Sequence, residues 1–243
     1  MLLALGRRAR LAVWAARART RMRWVGIDFS FSAGQGAVFV RPPFVLAGSE
    51  QPTGEPGSLD VVLGRNIRFA PGVIIEAEPG YRSRVEIGDG TRLGANVHLY
   101  LRGGSIRIGP GCEIRDGCVL KATGGELELG TQCFLSYGCV LHATERVQLE
   151  DRVGLGERVS VIDSRHETDG GDAHWTKQPI STQPIVIGAN TLMFINSVAT
   201  MGAHVGPNSQ VASGAILRAG DYPPSVLLAG VPAEVVRTLA EDE

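Results

Sequence analysis

The stretches VEIGDGTRLGANVHLYLRGG from Val85, IRIGPGCEIRDGCVLKATGG from Ile106, LELGTQCFLSYGCVLHATER from Leu127 and VQLEDRVGLGERVSVIDSRH from Val147 repeat one pattern at a period of about twenty. Inside each lies a finer period of six, carried by aliphatic anchors: Ile87, Leu93 and Leu99, then Ile108, Ile114 and Leu120, then Leu129, Leu135 and Leu141, then Leu149, Leu155 and Val161. The register returns at Ile187, Met193, Ala199, Val205, Val211 and Leu217, and a weaker start reads Leu63, Phe69, Ile75. An amphipathic helix needs spacings of three and four, which this region lacks. Self-similarity at such a period is the mark of a solenoid.

The remaining hexad positions describe a coil. Glycine often follows the anchor, as at Gly88, Gly94, Gly109, Gly130, Gly156, Gly188 and Gly206. Three places after the anchor stand Gly90, Asn96, Gly111, Gly117, Gly138, Asn190, Asn196, Asn208 and Gly214, types that tolerate a positive φ at a corner. The next place is small or β-branched (Thr91, Val97, Cys112, Cys118, Cys133, Cys139, Val159, Thr191, Ser197, Ala215), as a narrow interior requires. Six residues then make one short strand and one corner, and three such sides close a triangular coil. The two or three residues beyond eighteen sit at one corner, around Gly103-Gly104 and Gly124-Gly125. The expected fold is an all-β solenoid. Its register breaks once, between His166 and Ile187, where a polar, proline-containing segment should leave the coil as a loop, and such long loops are often functional. The organisation expected is a basic helical segment and linker over 1–60, the solenoid over 61–222 with its loop at 167–185, and an extension over 223–243. Pro232 would open a short C-terminal helix through Ala240.

Composition narrows the classes. The net charge is −1, but residues 1–24 hold seven arginines and no acid, leaving 17 basic against 25 acidic side chains elsewhere. That balance speaks against a nucleic-acid partner. The Arg-rich segment, helical in composition, is a candidate for peripheral membrane contact at the cytoplasmic face, its alternative being a helix packed beside the solenoid. No apolar run is long enough to span a bilayer. Cys112, Cys118, Cys133 and Cys139 share the small-residue position, which reads as packing rather than zinc binding.

From Ile187 the chain reads IGANTLMFINSVATMGAHVGPNSQVASGAILRAG, then GVPAEVVR. This resembles the end of the hexapeptide-repeat acyltransferases, which include galactoside, maltose, streptogramin and polysaccharide O-acetyltransferases; the resemblance runs from about Leu63 to Arg237. It implies a left-handed parallel β-helix, a homotrimer with sites between subunits, acetyl-CoA as acyl donor, a small-molecule acceptor such as a sugar or polysaccharide precursor, and no metal. VSVIDSRH at 159–166 is similar to the segment that ends in the family's catalytic histidine, which assigns His166 as general base. Asp163 or a backbone carbonyl would orient its ring. Ser213, Gly214, Arg218 and Arg237 fall where the family contacts coenzyme A. His142, Ser136 and Trp175 are candidates for the acceptor side, Trp175 sharing its loop with His174 and Lys177. The chain departs from the family in two places. Ser136 stands where the galactoside and maltose enzymes carry asparagine, although Phe134 keeps the aromatic two places before it. Leu192, followed by Met193-Phe194, replaces the usual tryptophan.

Two alternatives remain: a non-catalytic β-helix scaffold, and a metalloenzyme like the γ-class carbonic anhydrases. The latter would need two histidines five apart on one coil, a spacing absent among His98, His142, His166, His174 and His204. The acceptor, O- against N-transfer, and the length of the acyl group stay open.

Overall fold

A computed structural model describes residues 2–40, 43–48 and 56–239. The repeats form a three-sided prism of parallel sheets, designated faces A, B and C. Face A runs through nine strands from Ile27–Ala33 to Gly220–Tyr222. Face B has ten, from Val38–Phe39 to Ala233–Thr238, and face C eight, from Phe44–Ala47 to Ile216–Leu217. The chain visits A, B and C in turn, so each coil lies on the one before it. Identical hexad positions stack in register, as in the column Ile87, Ile108, Leu129, Leu149, Ile187, Val205. Every anchor from Leu63 to Leu217 is buried. Each contributes about 1.5–3 kcal/mol by leaving water.

The corners behave as their residue types require. All nine Gly and Asn corner residues have φ between 56° (Asn96) and 74° (Gly90). Gln132, Arg152 and Arg158 occupy equivalent corners at φ 57°, 58° and 55°, so stacking holds even longer side chains in the left-handed region. The glycine after the anchor has another reason: a Cβ on Gly88 would stand 2.5 Å from Pro110 N in the next coil. The small interior position also does more than fit. Thr91 Oγ1 donates to Gly109 O at 2.8 Å, Cys112 Sγ to Gly130 O at 3.1 Å and Cys118 Sγ to Ser136 O at 3.0 Å. Each side chain ties its corner to the next one. The four cysteines are buried free thiols.

The solenoid starts earlier and ends later than the 61–222 boundaries. Ala33, Phe39 and Val45 pair with Leu63, Phe69 and Ile75, making a first coil from residues expected to be linker. Helix α1 (Leu2–Trp24) covers the open end of that coil. Ala15, Ala18 and Met22 are buried on its inner face. Trp14 Nε1 donates to Pro43 O at 3.1 Å, and its ring meets Phe29 and Phe31 edge-on. A stacked-repeat core needs such a cap. No described helix is long and apolar enough to cross a membrane. At the other end Tyr222 and Leu228 still stack on Val205 and Val211. The helix expected after Pro232 is a strand instead: Ala233–Thr238 folds back antiparallel on Val226–Gly230. The β-branched residues Val235, Val236 and Thr238 favour that conformation, and the hairpin closes the sheet end.

The three outer faces differ in chemistry. Face A carries an ionic ladder in which Asp60, Arg84, Glu86, Arg107, Glu128 and Arg146 alternate in sign. Face C carries half-buried polar rings: His98 Nε2 lies 2.9 Å from Glu76, Tyr100 OH donates to Glu78 at 2.7 Å, and Lys121 Nζ sits 5.1 Å from the Tyr100 ring centre. Face B exposes Phe134, Leu192 and Phe194.

Candidate active site

The excursion leaves the prism at the corner between faces C and A, the corner widened by glycines in earlier coils. It is less of a loop than the interval 167–185 suggests. Ser164–His166 pairs antiparallel with Ile180–Thr182, and face A resumes with Ile185–Ile187. At its root lies Asp163, fully buried. Its carboxylate accepts the N–H groups of Thr144, Glu145 and Arg146, each at 2.8 Å to the nearer oxygen. The Gln183 N–H bonds the Asp163 carbonyl at 3.0 Å, and the Thr182 hydroxyl reaches Glu145 at 2.7 Å. Asp163 therefore fastens both ends of the excursion to the coil beneath. It does not orient the His166 ring as expected, because its oxygens are already taken by backbone donors.

His166 stands exposed, three residues beyond that anchor. Neither ring nitrogen has a hydrogen-bond partner among the described residues. The ring is placed instead by Trp175, whose centroid lies 4.8 Å away at 82°, and Trp175 is stacked in turn on His174 at 5.6 Å. A 3₁₀ turn, Trp175–Lys177, holds the indole there, with His174 Nδ1 accepting the Thr176 N–H at 3.3 Å. The excursion thus presents an exposed imidazole against an aromatic wall.

His142 lies one coil before, on face C. Its Nε2 meets Thr123 Oγ1 at 2.8 Å, and hydroxyl bonds continue from Thr123 to Thr144 (3.1 Å) and from Thr144 to Ser164 (3.0 Å). Burial, aided by Lys121 and opposed by Asp163, pushes the His142 pKa down, so the ring is neutral at pH 7. Ser136 is also committed: it is buried and donates to Glu157 at 2.9 Å. Glu157 is held below the usual carboxylate range by its own N–H first and by Ser136 second.

One chain does not gather the donor-side residues around His166. Ser213 and Gly214 occupy a corner between faces B and C two coils further on, and the Gly214 N–H bonds Ile195 O at 3.0 Å. Arg218 leaves the end of face C with its backbone clamped by the Tyr222 hydroxyl, whereas Arg237 lies on the terminal hairpin. Among the described residues no three His, Cys, Asp or Glu side chains cluster as a metal site would need.

No family model matches the chain. A stretch of 64 residues is 36% identical to a 2,3,4,5-tetrahydropyridine-2,6-dicarboxylate N-acetyltransferase of Brevibacillus brevis, covering 26% of this chain and 27% of that protein. The chain thus spans about a quarter of the length of the curated relative it matches. Among solved structures, the polySia specific acetyltransferase NeuO superposes with a TM-score of 0.53 at 18% identity, over 88% of this chain and 90% of that one. This chain has the left-handed β-helix fold. A hexapeptide-repeat-containing acetyltransferase of Vibrio cholerae, solved with acetyl coenzyme A, is similar over 64% of this chain and 71% of its own, with TM-score 0.44 and 19% identity.

Proposed function

We propose that the protein is a coenzyme-A-dependent acyltransferase that moves an acetyl or other acyl group to a hydroxyl or amine of a sugar or polysaccharide precursor. The observation that carries this reading is the exposed imidazole of His166, set against Trp175 on the long excursion that leaves the coils between faces C and A. An acceptor hydroxyl is a poor nucleophile at neutral pH. His166 takes its proton as the oxygen attacks the thioester carbonyl. The C–S bond then breaks as the tetrahedral intermediate collapses, and the imidazolium returns the proton to the departing thiolate. The thioester is already activated, so the chain needs to supply placement and one base.

The reading places three copies around a threefold axis, with the donor held between neighbours. Two features support it: Ser213, Gly214 and Arg237 lie away from His166 within a chain, and Phe134, Leu192 and Phe194 leave apolar surface uncovered on face B. With acetyl-CoA and a panel of sugars, sugar nucleotides and amine-bearing antibiotics, free thiol should be released only with certain acceptors, from a species of trimer mass. Failure of every acceptor to yield an acetylated product by mass spectrometry, from well-folded protein, would overturn the assignment.

The outer face of α1 supports a location at the cytoplasmic surface of a membrane. Val13, Arg17, Arg21 and Trp24 fall within about 80° of one another on the helix, and Trp24 is 89% exposed. Anionic lipid attracts each arginine by about 1 kcal/mol. Replacing Arg17 and Arg21 by glutamine and Trp24 by alanine should weaken sedimentation with phosphatidylserine-containing vesicles by about tenfold or more, while leaving the buried cap residues in place. Equal partitioning of the two proteins would exclude this role.

A further inference from the structure

On face A every arginine of the ladder is paired with at least one carboxylate. Face B treats its arginines differently. Arg68 and Arg92 are directly opposed in adjacent coils, both exposed, and neither has a charged or hydrogen-bonding partner for its side chain among the described residues. Like charges placed across a strand pair oppose folding. Glu113 stands opposite Arg92 in the next coil, but its carboxylate is bound by Arg115 at 2.9 Å, and Asp116 accepts the Ala95 N–H at 2.8 Å. Arg115 itself carries a buried Nε–H with no acceptor among the described residues. These guanidinium groups share a groove of about 520 Å³ whose walls include Val38, Val40 and Phe69. Gly94 lies in its lining on the coil of Arg92, and Phe134 stands next along the face, 5.6 Å from the Arg115 guanidinium.

We propose that this groove is an anion-binding subsite for the acceptor, distinct from the transfer centre at His166, in which Arg68 and Arg92 clamp a carboxylate or phosphate oxyanion. Arginines on strands one spacing apart, about 4.8 Å at the backbone, can each donate to an oxygen of such an oxyanion. An oxyanion there would cancel the opposed charges. The inference builds on the acyltransferase reading, because it names the acceptor's chemistry.

Binding without acyl donor separates the two ideas. Calorimetry on the full chain would use tetragalacturonate as a carboxylated probe, inorganic phosphate as a phosphate probe, and maltotetraose as a neutral control. Either anion should bind the wild-type protein and weaken with added salt, and maltotetraose should not bind. The carboxylated probe binding alone would assign the subsite to an acidic glycan, and phosphate alone to a phosphorylated acceptor. Arg68→Gln with Arg92→Gln should weaken binding about tenfold or more, whereas Arg107→Gln, which removes a paired charge from face A, should leave it unchanged. Unchanged affinity in the double variant, or no binding of either anion to the wild type, would overturn the subsite. So would loss of trimer mass in the double variant, which would mark the arginines as subunit contacts. A protein that binds anions yet never releases thiol would keep the subsite and lose the transferase.

Discussion

Replacing His166 by alanine is expected to lower turnover by about 10²–10⁴, the usual contribution of a positioned base, with little change in affinity for the donor. The imidazole is exposed, and among the described residues it is unbonded at both nitrogens and braced by Trp175, so its removal should not disturb the coils. The check is the separation of kcat from donor KM in the thiol-release assay, with melting of the variant measured alongside. Near-normal turnover in well-folded His166→Ala protein would transfer attention to His142. That ring is a weaker candidate: it is half-buried, and its Nε2 is engaged by Thr123.

The second large effect belongs to Asp163. Its buried carboxylate holds three successive backbone N–H groups of a partly exposed corner, and alanine would remove the acceptor of all three. Asp163→Ala should therefore cost about 3 kcal/mol or more in stability, since bonds to a charged acceptor are worth about 1.5–3 kcal/mol each. Asp163→Asn should also destabilise, because its amide N–H₂ would face backbone donors. Urea unfolding provides the measurement. Activity in both variants should fall in step with loss of the excursion, and donor binding should survive below the transition. Should Asp163→Asn melt like the wild type yet lose turnover as His166→Ala does, the carboxylate would instead be acting on the imidazole.

The coil interior was legible in the sequence because its constraints are local and repeated. A stacked column tolerates only aliphatic anchors, and a left-handed corner selects Gly or Asn, so both leave a period. The first coil was harder to read. Ala33, Phe39 and Val45 keep the spacing of six, but thirty residues separate them from the next coil rather than twenty or so, and two anchors are atypical. Tyr222 follows Leu217 by five residues and Leu228 follows Tyr222 by six, so the period slips by one beside Pro223, which reads as an exit only if every corner must resemble the others. His166 was proposed from the resemblance of VSVIDSRH to a family segment, and Trp175 from its place in the loop where the register breaks. The commitments of Asp163 and Ser136 were not legible, because a side chain's partner one coil away lies about twenty residues off and obeys no motif. Nor could the unpaired state of Arg68 and Arg92 be seen before the register between coils was known.

That register turns the prism into a ruler. Arg92 belongs to the third coil and Asp163 to the sixth, and successive coils superpose without rotating a residue to another face. The vertical distance from the basic groove to the root of the excursion is therefore quantised in rungs, three of them, or about 14 Å. Gain or loss of one whole repeat would move the proposed anion subsite by one rung relative to the imidazole, with both sites intact. On the proposed function, the reach an acceptor needs between its anionic group and the acylated position would then be written in the number of coils between them, and not in any single residue.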